Sequence, residues 1–317
     1  MGKIRHGEVE LAIYAALFGN IVIAVFKLVA ALSTGSSGLL AETAHSFADS
    51  GNQFILLIGI RLALRPPDRS HPFGYGKDRY FWTFLTAVSM FTIGATFSVF
   101  QGIQSLTTQE EVTQSVFSYL VLGVAAVLEV IALSLGLKAT WPEVQRRGLW
   151  RAIRETKDPT RFIVVLEDSA ALIGILLAAT GLILAQVLGL AFFDGIAAIL
   201  IGILLGAVAI VLGLESRSLL LGESVHPAIR RQLVSAVEGH PSVQSLVDLQ
   251  TMHLGPDEVL VGIEVHLQDE LDTDALEQVV NEIETAVREI IPQADHLFVE
   301  AKQPDGWGQT AAYTSSR

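Results

Sequence analysis

Cysteine is absent from the 317-residue chain, which excludes disulfides and thiolate metal ligation. Any bound metal must therefore be held by oxygen and imidazole nitrogen, a donor set that suits Zn²⁺, Mn²⁺, Fe²⁺, Co²⁺ or Ni²⁺ and fits soft Cu(I) poorly. Hydrolase signatures such as His-Glu-x-x-His are also missing, so no enzyme is expected. Finally, Lys and Arg are missing from three of the five short segments that separate the chain's long apolar runs.

Those runs are what the chain has in abundance. With 51% apolar residues it carries more oil than a soluble domain can hide. The stretches Leu11 to Leu32, Gly38 to Leu64, Phe81 to Leu106, Ser115 to Leu137, Arg161 to Leu188 and Leu190 to Leu214 each reach the roughly 20 residues that span a bilayer. Six spans are expected. The first block is too long for a signal-peptide core and lacks a cleavage site, so it reads as a retained helix. Basic residues in short loops mark the cytosolic side. Lys3 and Arg5 precede the first span, Arg61 to Arg79 surround the second loop, and Lys138 to Arg161 surround the fourth. Both termini are therefore expected in the cytosol, and the simple N-terminus points to a bacterial inner membrane.

The formal charge of −12 is unevenly placed: 17 acids face 5 bases from Glu223 onward, whereas the first 222 residues hold 16 of each. The acidity belongs to a tail domain, which argues against nucleic acid as a partner. From Ser224 the pattern becomes that of a small α+β unit. An amphipathic helix ends at Gly239, two strand-like runs flank the turn Gly255-Pro256-Asp257, a helix runs from about Asp272 to Ile291, and His296 to Lys302 reads as a last strand. In the second strand Val259, Val261, Ile263, Val265 and Leu267 alternate with Glu264, His266 and Gln268, giving one buried and one wet face. The expected architecture is a membrane all-α six-helix bundle (1–222) followed by a cytosolic αββαβ, ferredoxin-like domain (223–302) and a disordered tail (303–317). Gly202 and Gly206 form a small-xxx-small pair suited to close helix packing.

Ionisable groups within a bilayer cost about 2.5 to 3.5 kcal/mol each on insertion scales, so each needs a reason to be there. Glu42, His45 and Asp49 fall within about 60° of one another on one face of the second span, with Asn52 continuing the stripe. Imidazole and carboxylate one turn apart can reach a single ion of Zn²⁺ type. In the fifth span Glu167 and Asp168 interrupt an apolar run; being about 100° apart they cannot both point straight at one centre, and Asp168 is the first choice. Glu129, Asn20 and Lys27 are further intramembrane polar groups, read as packing or charge-balancing residues. A divalent ion is roughly neutralised by two carboxylates, and once it leaves, buried acids favour taking up protons. Metal and protons then compete for one site. If that site opens to one side at a time, the result is an antiporter with the metal as substrate and no permanent cofactor.

At this point the stretch FGNIVIAVFKLVAALSTGSSGLLAETAHSFADSGNQ, followed by RPPDRSHPFGYGKDRYFW, resembles the cation diffusion facilitators, or cation efflux family, and the layout is similar from about His6 to Lys302. The resemblance implies a homodimer with associating cytosolic domains and metal–proton exchange by alternating access. It also implies an intramembrane site of two positions one turn apart on span two, matched by His45 and Asp49, and two on span five. Asp168 matches the second of these. The position one turn earlier, often His in zinc-selective members, is Val164 here, with Glu167 as the nearby substitute. Carboxylate in place of imidazole hardens a site and shifts preference toward Mn²⁺ or Fe²⁺.

In the second loop, Asp68 and His71 match positions that bind zinc in some members, although Tyr75 stands where a third ligand would be His. The alternative is a structured turn. In the tail, His266 matches one regulatory position, while Val247, Glu300 and Lys302 make a poor remainder. His226, His240, His253 and His296 do not cluster with it in sequence. The leading expectation is a Zn²⁺ exporter; the alternatives are a Mn²⁺, Fe²⁺ or Co²⁺ exporter of the same mechanism and a membrane metal sensor or scaffold.

Overall fold

The computed structural model describes residues 6–108, 116–147, 159–269 and 271–303. The first five residues, the third loop, most of the basic fourth loop and residues 304–317 of the expected tail lie outside it. The chain divides into two compact units. One holds the residues up to Arg61 and from Arg79 to Arg217; the other holds Leu62–Asp78 together with the chain from Ser218 on.

The first unit is helical: α1 (His6–Thr34), α2 (Ser37–Ala63), α3 (Asp78–Thr108), α4 (Val116–Arg147), α5 (Pro159–Leu188) and α6 (Phe192–Leu221). Among the described residues four of them contain stretches long and apolar enough to cross a membrane: Asp78–Thr108, Val116–Lys138, Val165–Leu188 and Phe192–Leu221. The described apolar stretch of α1 is only Asn20–Thr34, and the 27-residue α2 is interrupted by Glu42, His45, Asp49 and Arg61. The expected count of six thus meets four apolar spans among the described residues; α2 is lowered by its polar groups, and α1 by the shortness of its described apolar stretch.

The bundle is packed with small residues inside and large ones outside, as a bilayer solvent allows. Ala30, Ala31, Ala41, Ala95, Ala125, Ala170, Ala178 and Ala198 line the core with Leu39, Leu182, Ile201 and Leu205. Phe18, Leu120, Val127, Leu135 and Val187 point outward. Without a hydrophobic force between helices, close approach through small residues supplies the attraction. The seam of α3 on α6 is the clearest case. A Cβ on Gly102 would come 2.6 Å from the Gly195 carbonyl, and one on Gly202 would come 2.9 Å from that of Ala95. The Gly202 of the small-xxx-small pair therefore packs within the chain, against α3. Midway, α3 widens into a π-helical turn over Met90–Ala95, where the Thr96 hydroxyl donates to the Phe91 carbonyl five residues back at 3.1 Å.

The second unit follows the expected element order. Helix α7 (Pro227–Glu238) is capped by His226, whose Nδ1 accepts from the Ala228 N–H, and has Pro227 in its first turn. Strand β1 (Val243–Gly255) pairs antiparallel with β2 (Glu258–Leu267), which pairs parallel with β3 (His296–Ala301), giving the order β1-β2-β3. Helix α8 (Thr273–Ile290) starts at Asp272, whose side chain accepts from the Ala275 N–H. Alternation along β2 buries Val259, Val261, Ile263, Val265 and Leu267 against Leu233 and Val237 of α7 and Val279, Ile283 and Val287 of α8. The segment 62–78 belongs to this unit by contact. Gly76 lies against the β1–β2 turn so closely that a Cβ would meet the Leu254 carbonyl at 2.7 Å, and the Phe73 ring stands edge-on to His296 at 5.0 Å.

Candidate metal centre

The geometry of α2 is set from its first turn. Gly35 takes φ +70, which a residue without Cβ adopts freely, and lets the chain reverse between α1 and α2. The orphan N–H groups of the new helix are met by a residue from α6: Asp194, fully buried, accepts from Ser36 Oγ at 2.6 Å on one oxygen and from the Ser37 and Gly38 N–H groups on the other. Ser36 Oγ in turn accepts from the Leu39 N–H. A carboxylate at a helix N-terminus satisfies donors and opposes the positive end of the dipole. The role of Asp194 is not legible in the sequence, because its partners lie more than 150 positions away.

Further along α2, Lys27 of α1 donates to Glu42 Oε1 at 2.8 Å and to Ser46 Oγ at 2.7 Å, with Lys27 and Glu42 both at 0% exposure. His45 is fully buried, and its Nδ1 lies 3.5 Å from Asp49 Oδ1, the one-turn approach predicted by the spacing. Asn52, one turn on, donates to Glu167 Oε1 of α5 at 3.1 Å. Glu167 is thus aimed at α2, and its neighbour Asp168 is only partly buried with Oδ2 inside. Glu129 of α4 joins Asn20, Ser46 and Asp49 around a small cleft.

A further feature is what these groups leave undone. Both ring nitrogens of His45, Asp49 Oδ1, Asp168 Oδ2 and Glu42 Oε2 are buried with no hydrogen-bond partner. An unmade bond to a buried polar group costs about 1–3 kcal/mol, more for a charged one, so such a set within neighbouring helices calls for a ligand or protons. Among the described residues no three His, Asp or Glu side chains converge tightly enough to hold one ion. The donors are present on α2 and α5 but are not closed into a coordination shell.

The other candidates are placed differently. Asp68 accepts from the Ser70 and His71 N–H groups on Oδ1 at 2.7 and 2.8 Å, and from the Tyr75 hydroxyl on Oδ2 at 2.8 Å. His71 stacks on Tyr75 at 4.2 Å. The Tyr75 bond, followed by the backbone bonds, holds the exposed Asp68 carboxyl below its ordinary range, while the same bond raises Tyr75. The turn engages both carboxylate oxygens. In the tail, His266 sits half-buried opposite Ser245, His240 pairs with Glu282 at 2.8 Å, and His296 meets Phe73. The described residues gather no metal cluster there.

A family model described as the cation efflux transmembrane domain matches residues 13–221. The chain belongs to the cation efflux family. Members are transporters of metal cations, so the apolar helices here are those of an integral membrane protein. The chain is 30% identical over 82% of its length to the mouse mitochondrial proton-coupled zinc antiporter SLC30A9, of which it spans 48%. It is 26% identical to metal tolerance protein C4 of Arabidopsis thaliana over 95% of this chain and 75% of that one, and 27% identical to the cation-efflux pump FieF of Escherichia coli over 90% of each. A solved MamM CTD is similar over 25% of this chain and 100% of its own, at 19% identity and a TM-score of 0.23.

Proposed function

We propose that this cation efflux protein exports a divalent cation, Zn²⁺ first, from the cytosol in exchange for protons, at a site built by His45, Asp49 and Asp168 with Glu167 beside them. The observation that carries this reading is the group of buried, unpartnered nitrogens and oxygens on α2 and α5. Imidazole and carboxylate suit Zn²⁺, and the same atoms hold protons when the ion is gone. The charge of the pocket then stays nearly constant through the cycle, which is what permits exchange in a low-dielectric medium. The Asn52–Glu167 bond joins α5 to α2 beside these donors.

The relative named as a proton-coupled zinc antiporter supports the choice of metal and counter-ion, and the carboxylate at Glu167 favours Mn²⁺, Fe²⁺ or Co²⁺ as the second reading. The same reading has six spans with both termini cytosolic, a membrane domain over residues 1–222, a cytosolic domain over 223–302 and a homodimer in a bacterial inner membrane. A sensor or scaffold would want a dense metal cluster in the tail, which the described residues lack. The test is flux into reconstituted vesicles under a pH gradient with Zn²⁺, Mn²⁺, Fe²⁺, Co²⁺ and Cd²⁺ in parallel, using wild type, His45→Ala and Asp168→Ala. Loss of flux in both variants is expected; undiminished flux in both overturns the site.

A further inference from the structure

Glu42 stands three residues before His45, toward the 34–37 turn, and the proposed centre has no use for it. It is nevertheless built into place. Its Oε2 lies where a Cβ on Gly174 of α5 would come within 2.5 Å, so α5 has a glycine where the carboxylate needs room. Its Oε1 and the Ser46 hydroxyl together hold the Lys27 ammonium, and all of Lys27 is buried. Oε2 itself has no hydrogen-bond partner. A buried ion pair contributes little net stability over a pair of well-packed apolar residues, so its presence one turn from the ion's own ligands asks for another explanation.

We propose that Lys27 is a tethered cation that withholds Glu42 from the transported ion. It is a positioning residue that sets how tightly the site holds its cargo. The inference rests on His45 and Asp49 being the ion's ligands. With His45 and Asp49 continuing the face that begins at Glu42, an unneutralised Glu42 would add another carboxylate within reach of a divalent ion and deepen the well. Transport requires binding weak enough to release the ion as well as strong enough to load it. Lys27 supplies that limit by occupying the carboxylate from the side, while its own charge repels the ion. At a separation of one helical turn in a protein environment, a full charge changes a divalent ion's binding by at least roughly tenfold.

The experiment measures Zn²⁺ binding by calorimetry in detergent and Zn²⁺ flux in vesicles for wild type, Lys27→Gln, Glu42→Gln, the double variant and His45→Ala, with folding followed by circular dichroism. Lys27→Gln is expected to bind Zn²⁺ at least tenfold more tightly and to transport with lower KM and lower maximal rate. Glu42→Gln, which leaves the ammonium unpaired, is expected to bind at least tenfold more weakly. The double variant is expected to return to within about threefold of wild type, because the two charges cancel. A merely structural pair would weaken binding in both single variants or in neither, and either result overturns the inference. If Lys27→Gln does not fold, the comparison of Glu42→Gln with the double variant decides: restoration supports it, and equal binding by the two overturns it. Wild-type binding that is absent, or unaffected by His45→Ala, instead overturns the reading of the site itself. Wild-type binding that depends on His45 but ignores Lys27 and Glu42 overturns only the present inference.

Discussion

Asn52 on α2 gives its side-chain amide to Glu167 Oε1 on α5 at 3.1 Å, which ties that carboxylate to the helix carrying His45 and Asp49. Replacing Asn52 by Leu leaves a buried carboxylate without its donor. The expected cost is about 1–3 kcal/mol, read as a lowered thermal midpoint in detergent. Glu167→Gln keeps a polar partner and is expected to lose under tenfold in Zn²⁺ affinity, while Asp168→Asn loses at least tenfold. Equal losses would make Glu167 a full ligand.

Asp194 fastens the start of α2 to α6 through Ser36, Ser37 and Gly38. Asp194→Ala removes both acceptor oxygens for three donors, and a destabilisation of about 1–2 kcal/mol is expected, as for loss of a strong N-cap. Asp194→Asn retains an oxygen and is expected to lose less. Thermal unfolding monitored by helix content checks both.

Much of this arrangement is legible in the sequence, and what is missing shares a cause. The element order of the tail domain is readable because period-two alternation in β2 and the Gly255-Pro256-Asp257 turn are local signals. The pairing of His45 with Asp49 is legible for the same reason, as helical geometry fixes neighbours one turn apart. Asp194, Gly174 and the partner of Glu167 cannot be read, since each acts across helices and no local period records which side chains meet there. The count of membrane spans suffers from the reverse problem. Hydropathy dilutes a helix such as α2 with the very polar residues that make it functional.

The loop turn gives a pH prediction outside the membrane. Asp68 is held below its ordinary range mainly by the Tyr75 hydroxyl. A depressed carboxyl contributes order above its unfolded value and loses it as pH falls through the folded one, so the 68–75 turn is expected to loosen only at acid pH. Tyr75→Phe should move the Asp68 carboxyl titration upward toward the ordinary value, followed by carbon-13 NMR of labelled aspartate. An unchanged titration would mean that the backbone bonds from Ser70 and His71 suffice.

The seam of α3 on α6 offers a packing test. A Cβ on Gly102 would lie 2.5 Å from Ile199 Cγ1 and 2.6 Å from the Gly195 carbonyl, and backbone cannot step aside cheaply. Gly102→Ala is expected to cost about 1–3 kcal/mol in the thermal melt, with Gly123→Ala, whose Cβ would meet nothing within 4 Å, as the neutral control.

In the proposed exchange one intramembrane site alternates between a metal ion and protons. That exchange is tested most directly by calorimetric titration with Zn²⁺ in buffers of different ionisation enthalpy, which counts the protons released per ion bound. One intramembrane Zn²⁺ per chain is expected, with release of at least one proton near neutral pH, and with loss of both binding and release in His45→Ala, Asp49→Asn and Asp168→Asn. Zn²⁺ bound at full affinity by those variants, or bound by wild type with no proton released, would contradict it.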